Sequence, residues 1–342
     1  MTSHFINSQL SADAASHPTL SVIVPVLNES EGLIEFHRRL SGALKSLALD
    51  VEILFVNDGS SDDSIDVIKM LQHKDCRIGV IDLSRRFGKE LAVSAGIDHA
   101  RGDAVVLIDA DLQDPPECIV EMVSAWRQGF DVVAMQRADR SVDTLFKRIS
   151  ASVFYRLLSW LSPVNIPPGV GDFRLLSRRA VDALKQLRER NRYMKGLYAW
   201  VGFNYIELPY RREVRHAGDS KWPIGKLLGL AVDGITSFSI APLRLATYIG
   251  LITALGAFVY GLVIVVKTMV YGDPVAGFPA LMVTITFLGS VQLLAIGVLG
   301  EYLGRMFLET KRRPMYLVRS TNLPKLPLPV QASTSAMAAI HV

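Results

Sequence analysis

Residues 100–117 have the sequence ARGDAVVLIDADLQDPPE, and this stretch decides the fold. Its centre, AVVLI at 104–108, is a short apolar run rich in β-branched residues, which is typical of a buried strand. Two carboxylates, Asp109 and Asp111, follow the run directly, and two prolines come soon after them. A buried strand that ends in acidic side chains predicts a sheet with a ligand site at its carboxyl edge.

The same pattern of an apolar strand and a polar turn recurs along the first half of the chain. Strands are predicted at 20–26, 51–57, 78–83, 104–108 and 131–135, and helices at 31–47, 60–71, 89–100 and 120–127. Strands that alternate with helices favour a mainly parallel sheet that is covered on both faces. We therefore predict an α/β domain of the Rossmann-like kind.

The composition excludes several classes of protein. The 342 residues include 37 Lys and Arg against 33 Asp and Glu, which gives a formal net charge of +4, and 50% are hydrophobic. These values exclude a disordered chain, a collagen-like fibre and a small disulfide scaffold. The net charge is too small to argue for a nucleic-acid partner, and none is expected. A mean hydropathy of +0.28 indicates instead that apolar residues are concentrated in particular segments.

Two segments hold the excess of apolar residues. Residues 245–266 contain no charged side chain, and residues 280–300 are apolar apart from Thr, Ser and one Gln. About 20 helical residues cross the hydrocarbon core of a bilayer, so both segments are predicted to be transmembrane helices. Basic residues flank the outer ends of the pair. Because positive charge favours the cytoplasmic side, we expect both long ends to lie in the cytoplasm, at a bacterial inner membrane.

These features divide the chain into five parts. The first part is polar and lacks the apolar run of a signal peptide, so we expect it to be disordered. Residues 222–240 mix charged and apolar positions, which is typical of an amphipathic segment at a membrane surface. The predicted division is a disordered start at 1–18, a sheet domain at 19–215, a juxtamembrane amphipathic segment at 216–243, two transmembrane helices within 244–300, and a cytoplasmic tail at 301–342.

Polar side chains follow three of the predicted strands. The first strand is followed by Asn28 and Glu29, the second by Asp58, and the fourth by Asp109 and Asp111. Because the carboxyl ends of parallel strands share one edge, we expect these side chains to lie together. The sequence has neither a dinucleotide glycine motif after the first strand nor a P-loop, so a bound phosphate needs another cation. The paired aspartates offer the hard oxygen ligands that Mg²⁺ or Mn²⁺ prefers.

Several segments resemble those of one enzyme family. They are VIVPVLNE at 22–29, VNDGSSDDS at 56–64, ARGDAVVLIDADLQDPPE at 100–117, GVGDFRLLSR at 169–178 and GEYLGRMFLETKRRPMYLV at 300–318. Together they resemble the inverting GT-A glycosyltransferases of family 2. More closely, they resemble the polyprenyl-phosphate glycosyltransferases, which include dolichyl-phosphate mannose synthases, bactoprenol glucosyltransferases and undecaprenyl-phosphate aminoarabinose transferases. The resemblance implies a GT-A sheet domain followed by amphipathic interface helices and two transmembrane helices.

The resemblance also implies roles for individual residues. The residues expected to bind the nucleotide sugar are Pro25, Leu27, Glu29, Val56, Asp58, Asp109, Ala110 and Arg137. The expected ligands of a Mg²⁺ or Mn²⁺ ion are Asp109, Asp111 and Gln113, of which Asp111 is also expected to be catalytic. The expected contacts to phosphate or to a lipid acceptor are Arg148, Ser152, Arg215 and Lys221. The candidate base, or acceptor-orienting carboxylate, is Asp172.

The implied reaction transfers a hexose from a nucleotide sugar, with a UDP-sugar expected, to a polyprenyl phosphate in the membrane. Glucose from UDP-glucose and undecaprenyl phosphate are the first expectation, with a product that serves cell-envelope glycans such as lipopolysaccharide. The alternatives are aminoarabinose, mannose or galactose on the same lipid, a processive polysaccharide synthase, and a non-enzymatic membrane scaffold or flippase partner. The nucleotide base and the choice between Mg²⁺ and Mn²⁺ stay open. Glycines in the apolar segments permit close helix packing and are compatible with a homo-oligomer.

Overall fold

The structure is a computed structural model of the chain, and it describes residues 19–138, 170–190, 192–213, 241–271 and 277–324. Its strands are β1 (Leu20–Val26), β2 (Val51–Asn57), β3 (Ile78–Leu83), β4 (Ala104–Leu107), β5 (Val132–Arg137), β6 (Val170–Ser177), β7 (Tyr205–Tyr210) and β8 (Val318–Asn322). Its α-helices are α1 (Leu33–Lys45), α2 (Ser64–Lys74), α3 (Lys89–His99), α4 (Ile119–Arg127), α5 (Arg178–Gln186), α6 (Met194–Trp200), α7 (Ala241–Tyr271) and α8 (Phe278–Thr310).

All of the described strands form one sheet of 8 strands in the order β7-β5-β6-β4-β1-β2-β3-β8. The pairs β1–β2, β1–β4, β2–β3 and β5–β7 are parallel. Strand β6 lies antiparallel between β4 and β5, and β8 lies antiparallel along β3. The sequence-based prediction of a mainly parallel α/β sheet is therefore confirmed. The antiparallel strand β6 matters for function because it begins at the edge where β4 ends, with Leu107 opposite Arg174.

The sheet is buried on both faces, because the side chains of each central strand alternate between two hydrophobic clusters. Val22 and Val24 pack in one cluster with apolar side chains of α1, α2 and α4. Ile23 packs in the other cluster with those of α3, α5 and α6. Near-continuous apolar strands such as LSVIVPV are the sequence pattern of a sheet covered on both sides. The core thus holds the strand ends, and the loops that follow them, in fixed positions.

The contact between α3 and β1 depends on the absence of a side chain at Gly96. A Cβ atom at this position would lie 2.3 Å from Cγ2 of the fully buried Ile23. We expect Gly96→Ala to lower the free energy of unfolding by about 1–3 kcal/mol, because the packed core has no room for the methyl group. Gly42→Ala is the matched control in α1, where a Cβ atom would meet nothing within 4 Å. The control should stabilise by about 0.5–1 kcal/mol.

Thermal unfolding of the two full-length variants in detergent checks this pair. The midpoint should fall for Gly96→Ala and rise for Gly42→Ala relative to the unaltered chain. Equal midpoints would show that α3 can move away from β1 without loss of stability.

Helices α7 and α8 are long enough and apolar enough to cross a membrane. They have 31 and 33 residues, and their candidate spans are Leu243–Val263 and Thr284–Thr310, no part of which is buried in the protein. At 1.5 Å per residue, α8 is roughly 50 Å long, which exceeds the roughly 30 Å of bilayer hydrocarbon. The helix ends at Thr310, which is beyond the end that was predicted at residue 300. Large apolar side chains such as Leu293, which is 71% exposed, line the outside of the pair.

Strand β8 follows the second long helix and returns to the sheet. Its residues were predicted to lie in a C-terminal tail outside the sheet domain, whereas the structure pairs Ser320 with Asp82 of β3. The side chain of Gln72 donates to the carbonyl of Asn322 at 3.0 Å, and Arg101 donates to the carbonyl of Pro324 at 3.1 Å. The strand covers the otherwise open edge of β3, which is a reason for the chain to return there.

Candidate functional site

The loops that follow β1 and β2 are tied to each other. Asn28 Oδ1 accepts a hydrogen bond from the backbone N–H of Ser61 at 2.8 Å, and the N–H of Glu29 donates to Ser64 Oγ at 2.9 Å. Within the strands, Pro25 lies opposite Val56 in the register. The structure therefore brings together the predicted nucleotide-binding residues of these two strand ends.

Asp58 holds the loop that follows β3. Its side chain accepts hydrogen bonds from the backbone N–H groups of Phe87 at 2.6 Å and Gly88 at 2.9 Å. Burial raises the pKa of Asp58, and these two donors oppose that rise. Gly59 has φ +69°, and a Cβ atom there would lie 2.6 Å from the backbone nitrogen of Arg86, so only glycine fits. The expected contact of Asp58 with a nucleotide base stays a prediction, and its observed role is to position the residues before Lys89.

Lys89 joins two of the predicted site residues. Its Nζ lies 2.6 Å from Asp109 Oδ2 and 2.9 Å from Asp172 Oδ2. Burial acts to lower the pKa of Lys89, but the two carboxylates outweigh it and raise that pKa well above its ordinary value. Burial likewise acts to raise the pKa of Asp172, but the charges of Lys89, Lys195 and Arg174 hold it below its ordinary range. Lys89 and Asp172 are therefore both charged at neutral pH.

Lys89 itself was not predicted as a site residue. The sequence did contain a signal for it. The motif FGKE at 87–90 comes after the third strand, just as Asp58 comes after the second and Asp109 after the fourth. Its position at the same sheet edge follows from the same rule about strand ends. We expect any lysine at such an edge to neutralise neighbouring carboxylates.

Asp172 has one oxygen that is available for a ligand. Its Oδ1 atom is buried and has no hydrogen-bond partner among the described residues. Nearby, Arg174 donates to the carbonyl of Gly171 at 2.5 Å and lies over the ring of Tyr198 at 3.7 Å. Buried carboxylate oxygens normally have partners, so this one is arranged for a group that is not part of the described protein.

The turn after β4 is strained. Leu112 is 3% exposed and has φ +60°, a left-handed conformation that costs a branched residue roughly 1–2 kcal/mol. The backbone N–H of Gln113 donates to Asp111 Oδ1 at 3.1 Å, which closes the turn. Strain of this kind persists where the surroundings enforce it, and it is concentrated at ligand sites.

The end of β7 packs over this turn. The hydroxyl of Tyr210 donates a hydrogen bond to Asp114 Oδ1, and the guanidinium of Arg212 donates one to Gln113 Oε1. The backbone N–H of Glu213 donates to the carbonyl of Gln113 at 3.0 Å. The amide oxygen of Gln113, one of the predicted metal ligands, therefore already accepts a hydrogen bond from Arg212 and would have to exchange this partner to bind an ion.

Arg137 ends β5 at the same edge of the sheet. Nη2 of Arg137 would lie 3.9 Å from a Cβ atom built on Gly171. The guanidinium therefore lies next to the strand that carries Asp172. It also lies close enough to Asp114 and Tyr210 to lower the pKa of each, against the larger effect of burial. The structure thus places a fixed cation beside the acidic turn, as phosphate binding requires.

The side chains at the end of β4 have the donor atoms needed to hold a divalent ion that also contacts a diphosphate. No group of three or more His, Cys, Asp or Glu side chains that could hold a metal occurs within the described residues. Asp109 and Asp111, however, flank the buried Ala110 at the end of β4. Mg²⁺ sites commonly use one or two carboxylates and take their remaining ligands from substrate phosphates and water. The donor set at this turn has that composition.

Other predicted site residues lie outside the described residues. They are Arg148, Ser152, Arg215 and Lys221, together with the amphipathic segment 222–240. Their expected contacts with phosphate, lipid and the membrane surface stay predictions. Leu27 is described and follows β1 directly, next to Asn28.

The pKa of Glu90 gives the site a pH-dependent stability. Burial raises this pKa from 4.5 to about 7, with a further increase from the charge of Asp172 and a decrease from that of Lys89. The folded state therefore binds a proton that the unfolded state releases between these two pH values, so stability falls as pH rises from 4.5 to 7. We expect Glu90→Gln to be more stable than the unaltered chain by roughly 1–3 kcal/mol at pH 8.

At pH 4 the two proteins should be equally stable, because Glu90 is protonated in both states there and glutamine keeps the oxygen that accepts from Met194. Thermal unfolding at the two pH values checks the prediction, with Glu121→Gln on the surface of α4 as the control. If the stability difference between Glu90→Gln and the unaltered chain is the same at both pH values, the pKa of Glu90 is not raised in the folded state.

Comparisons with known proteins agree with this organisation of the chain. The family Glycosyl transferase family 2 matches residues 21–185, and the family GtrB C-terminal hairpin matches residues 241–306. A bactoprenol glucosyl transferase of Shigella phage SfX is 47% identical over 301 residues, which are 88% of this chain and 99% of that protein. An uncharacterized glycosyltransferase of Synechocystis is 46% identical over 310 residues, which are 90% of this chain and 98% of that protein.

Among solved structures, the sheet domain has a more distant likeness. Glucosyl-3-phosphoglycerate synthase from Mycobacterium tuberculosis, in complex with Mn²⁺, UDP-glucose and phosphoglyceric acid, aligns with a TM-score of 0.46 and 20% identity. The alignment covers 64% of this chain and 78% of that one.

Proposed function

Since this chain belongs to glycosyltransferase family 2 and is a glycosyltransferase, we propose that it transfers glucose from UDP-glucose to undecaprenyl phosphate, a bactoprenol lipid. The family resemblance of its motifs is thereby confirmed, and a non-enzymatic scaffold is no longer needed to explain them. The observation that carries the proposal is the bridge from Asp109 through Lys89 to Asp172 at the sheet edge. It joins the acidic turn of a donor site to Asp172, one oxygen of which has no hydrogen-bond partner in the described part of the chain.

The donor is proposed to lie across the ends of β1, β2 and β4. Pro25 is partly exposed there, Val56 and Ala110 are buried in the core that supports the site, and the backbone N–H of Glu29 ties its loop to Ser64. Arg137 is the fixed cation beside the phosphates. Asp109 and Asp111 would hold Mg²⁺ or Mn²⁺, which when bound supplies positive charge to the diphosphate. Lys89 contacts Asp109 Oδ2 at 2.6 Å and thereby positions this carboxylate at the end of β4.

The acceptor is a phosphate monoester and does not need strong base catalysis. Its second pKa lies near ~6, so an oxygen of the dianion attacks the anomeric carbon without losing a proton. One carbon–oxygen bond forms to the lipid phosphate as the carbon–oxygen bond to UDP breaks, and UDP leaves with its negative charge. Attack from the face opposite UDP inverts the configuration of the anomeric carbon. The residues of the site then act mainly by position and charge.

Asp172 orients the acceptor in this proposal. An ionised carboxylate would repel a phosphate dianion at close range, but the charges of Lys89, Lys195 and Arg174 surround Asp172 and offset that repulsion. Its unpartnered oxygen can accept a hydrogen bond from a hydroxyl of the bound sugar or from a protonated lipid phosphate. A role as a general base is needed only for an acceptor with a hydroxyl nucleophile.

The membrane arrangement follows from the return of β8 to the sheet. Strands β1 to β7 precede both long helices and β8 follows them, yet all of these strands share one sheet. If α7 and α8 each cross a bilayer once, they must therefore form a hairpin whose two outer ends lie on the same side of it. This supports a two-span hairpin with the sheet domain at the cytoplasmic face, where the flanking basic residues also favour it.

Glucose is proposed because bactoprenol glucosyl transferases are 45–47% identical to this chain over 88–89% of its length. Aminoarabinose, mannose and galactose differ from glucose at positions of the sugar ring. No contact among the described residues distinguishes these positions. A processive synthase is a weaker candidate, since these relatives align with this chain over almost their full lengths.

The test is a lipid-product assay with membranes that contain the full-length protein. Radiolabelled UDP-glucose, Mg²⁺ and undecaprenyl phosphate should give a single labelled lipid on thin-layer chromatography, with one sugar per lipid. A panel of other nucleotide sugars, assayed in parallel, decides the sugar and the base. Label in a polymer would favour the synthase, and the proposal fails if no nucleotide sugar labels any lipid.

A further inference from the structure

A cavity lies where the end of α8 meets the sheet domain. Its volume is about 640 Å³, and its charged lining residues are Asp98, Arg188, Arg190, Glu309, Arg312 and Arg313. They come from α3, from the segment after α5, and from the end of α8 and the turn that follows it. The cavity is therefore built from parts of the chain that lie on either side of the two long helices.

The cavity carries an excess of positive charge. Four arginines face two acids. Both acids already accept hydrogen bonds: Asp98 from Arg188 at 2.8 Å and from the hydroxyl of Tyr316 at 2.7 Å, and Glu309 from the backbone N–H of Arg190 at 2.7 Å. The lining therefore keeps a net positive charge, because the two carboxylates cannot balance four guanidinium groups.

Two buried donor atoms beside the cavity have no acceptor. They are Nη2 of Arg190 and Nε of Arg192, which have no hydrogen-bond partner among the described residues. Among the described residues, Arg192 donates to the sulfur of Met315 and to the carbonyl of Leu184. Burial lowers the pKa of Arg192, although the charges of Asp98 and Glu189 act in the opposite direction. Unsatisfied buried donors on arginines call for an anionic acceptor with several oxygens.

The cavity lies at the level of a membrane surface. Large apolar side chains stay exposed along α8 as far as Phe307 and Leu308, which are 58% and 52% exposed. The candidate span ends at Thr310, and Arg312 and Arg313 follow within one turn. Basic pockets at the cytoplasmic end of a transmembrane helix are suited to the headgroups of anionic lipids. A soluble anion would not explain the apolar surface that leads to this cavity.

This cavity is separate from the proposed transfer site. Helix α3 begins at Lys89, which contacts the acidic turn, and Asp98 lies near its other end. At 1.5 Å per residue these two positions are roughly 14 Å apart along the helix. A phosphate in the cavity therefore cannot reach the atoms that would react at the sheet edge.

From this geometry we infer that the cavity binds the phosphate headgroup of an anionic membrane phospholipid. The lipid would hold the sheet domain against the bilayer at the end of α8, in addition to the two apolar helices. The inference uses the membrane attachment proposed above, but it does not depend on the transfer reaction or on the identity of the sugar.

Native mass spectrometry of the full-length protein in a neutral detergent tests the inference. The protein is mixed with short-chain phosphatidylglycerol, and the bound lipid is counted for the unaltered chain, for Arg312→Gln/Arg313→Gln and for Arg190→Gln. The first variant changes two exposed side chains and should fold normally. The control is Arg127→Gln, which removes one exposed positive charge at the end of α4.

We expect the double variant to need about ten times more phosphatidylglycerol for the same occupancy, since charge-assisted hydrogen bonds are lost. Arg190→Gln should show a similar loss, the control should bind as the unaltered chain does, and zwitterionic phosphatidylcholine should not be retained. Transfer activity in detergent without phospholipid should be the same for the double variant and the unaltered chain, which separates this test from that of the proposed function.

Equal retention of phosphatidylglycerol by the double variant and the control would overturn the inference, as would equal retention of phosphatidylcholine. Displacement of the lipid by the same concentration of inorganic phosphate would show a site for a free anion instead. Displacement by undecaprenyl phosphate at that concentration would assign the cavity to the acceptor. Either result would also overturn it.

Discussion

Asp111→Ala should lower the rate of sugar transfer at least about a thousandfold, which is the largest effect expected for a single side chain here. The reason is that charge develops on the departing diphosphate, and a divalent ion held there contributes several kcal/mol to its stabilisation. Asp111 lies in the strained turn after β4, so the change removes a carboxylate without altering the buried strand. The measurement is the initial rate of lipid labelling at saturating UDP-glucose.

A binding measurement separates this role from a structural one. The affinity of Mn²⁺ in the presence of UDP, followed by electron paramagnetic resonance, should fall in Asp111→Ala together with the rate. Asp66→Asn is the matched control, since Asp66 is an exposed carboxylate on α2 whose nearest cation lies 3.7 Å away. Unchanged Mn²⁺ affinity in an inactive Asp111→Ala would show that Asp111 is not a metal ligand.

Lys89→Met should lower the rate of transfer about a hundredfold and shift its pH dependence. The ammonium group lies between two carboxylates, and its removal leaves Asp109 and Asp172 without the cation that joins them. Burial then raises the pKa of Asp172, which Lys89 otherwise helps to hold below its ordinary range. Asp172 would consequently take up a proton at a higher pH than before. The fall in activity on the acidic side should therefore move upward in pH.

The measurement is kcat/KM between about pH 5 and pH 9, which reports groups of the free enzyme. Lys89→Arg keeps the positive charge and should retain at least about a tenth of the rate with an unshifted acidic limb. Lys69→Met, at an exposed position of α2, controls for the loss of a lysine. An unshifted limb in Lys89→Met would mean that Lys89 does not control the charge of Asp172.

The larger elements of the sheet domain could be predicted from local patterns. The runs LSVIVPV and VEILFVN are apolar because both faces of their strands are buried, and this burial is visible in the sequence itself. The predicted bounds of β1, β2 and β3 agree with the structure. The two apolar helices were predictable for the same reason, since a span needs about 20 apolar residues in a row.

The antiparallel strands and the lysine bridge could not be predicted in that way. Strand β6 lies between β4 and β5, and β8 reaches β3 from the far end of the chain. Such pairings depend on which edges are left open after the core has packed, and no short window of sequence contains that information. In the same way, Lys89 meets Asp172 only because Asp58 holds the backbone at Phe87 and Gly88.

The sequence alone determined the family, the order of strands and helices from β1 to β5, the two apolar spans and the acidic turn at Asp109 and Asp111. These properties follow from local periodicity and from short motifs, which are read along the chain. The tertiary structure alone decided which charges meet: Lys89 with Asp172, Arg212 with Gln113, and the arginines after α8 with those after α5. Coulomb interactions and burial act through space, so their partners become known only when the chain is folded.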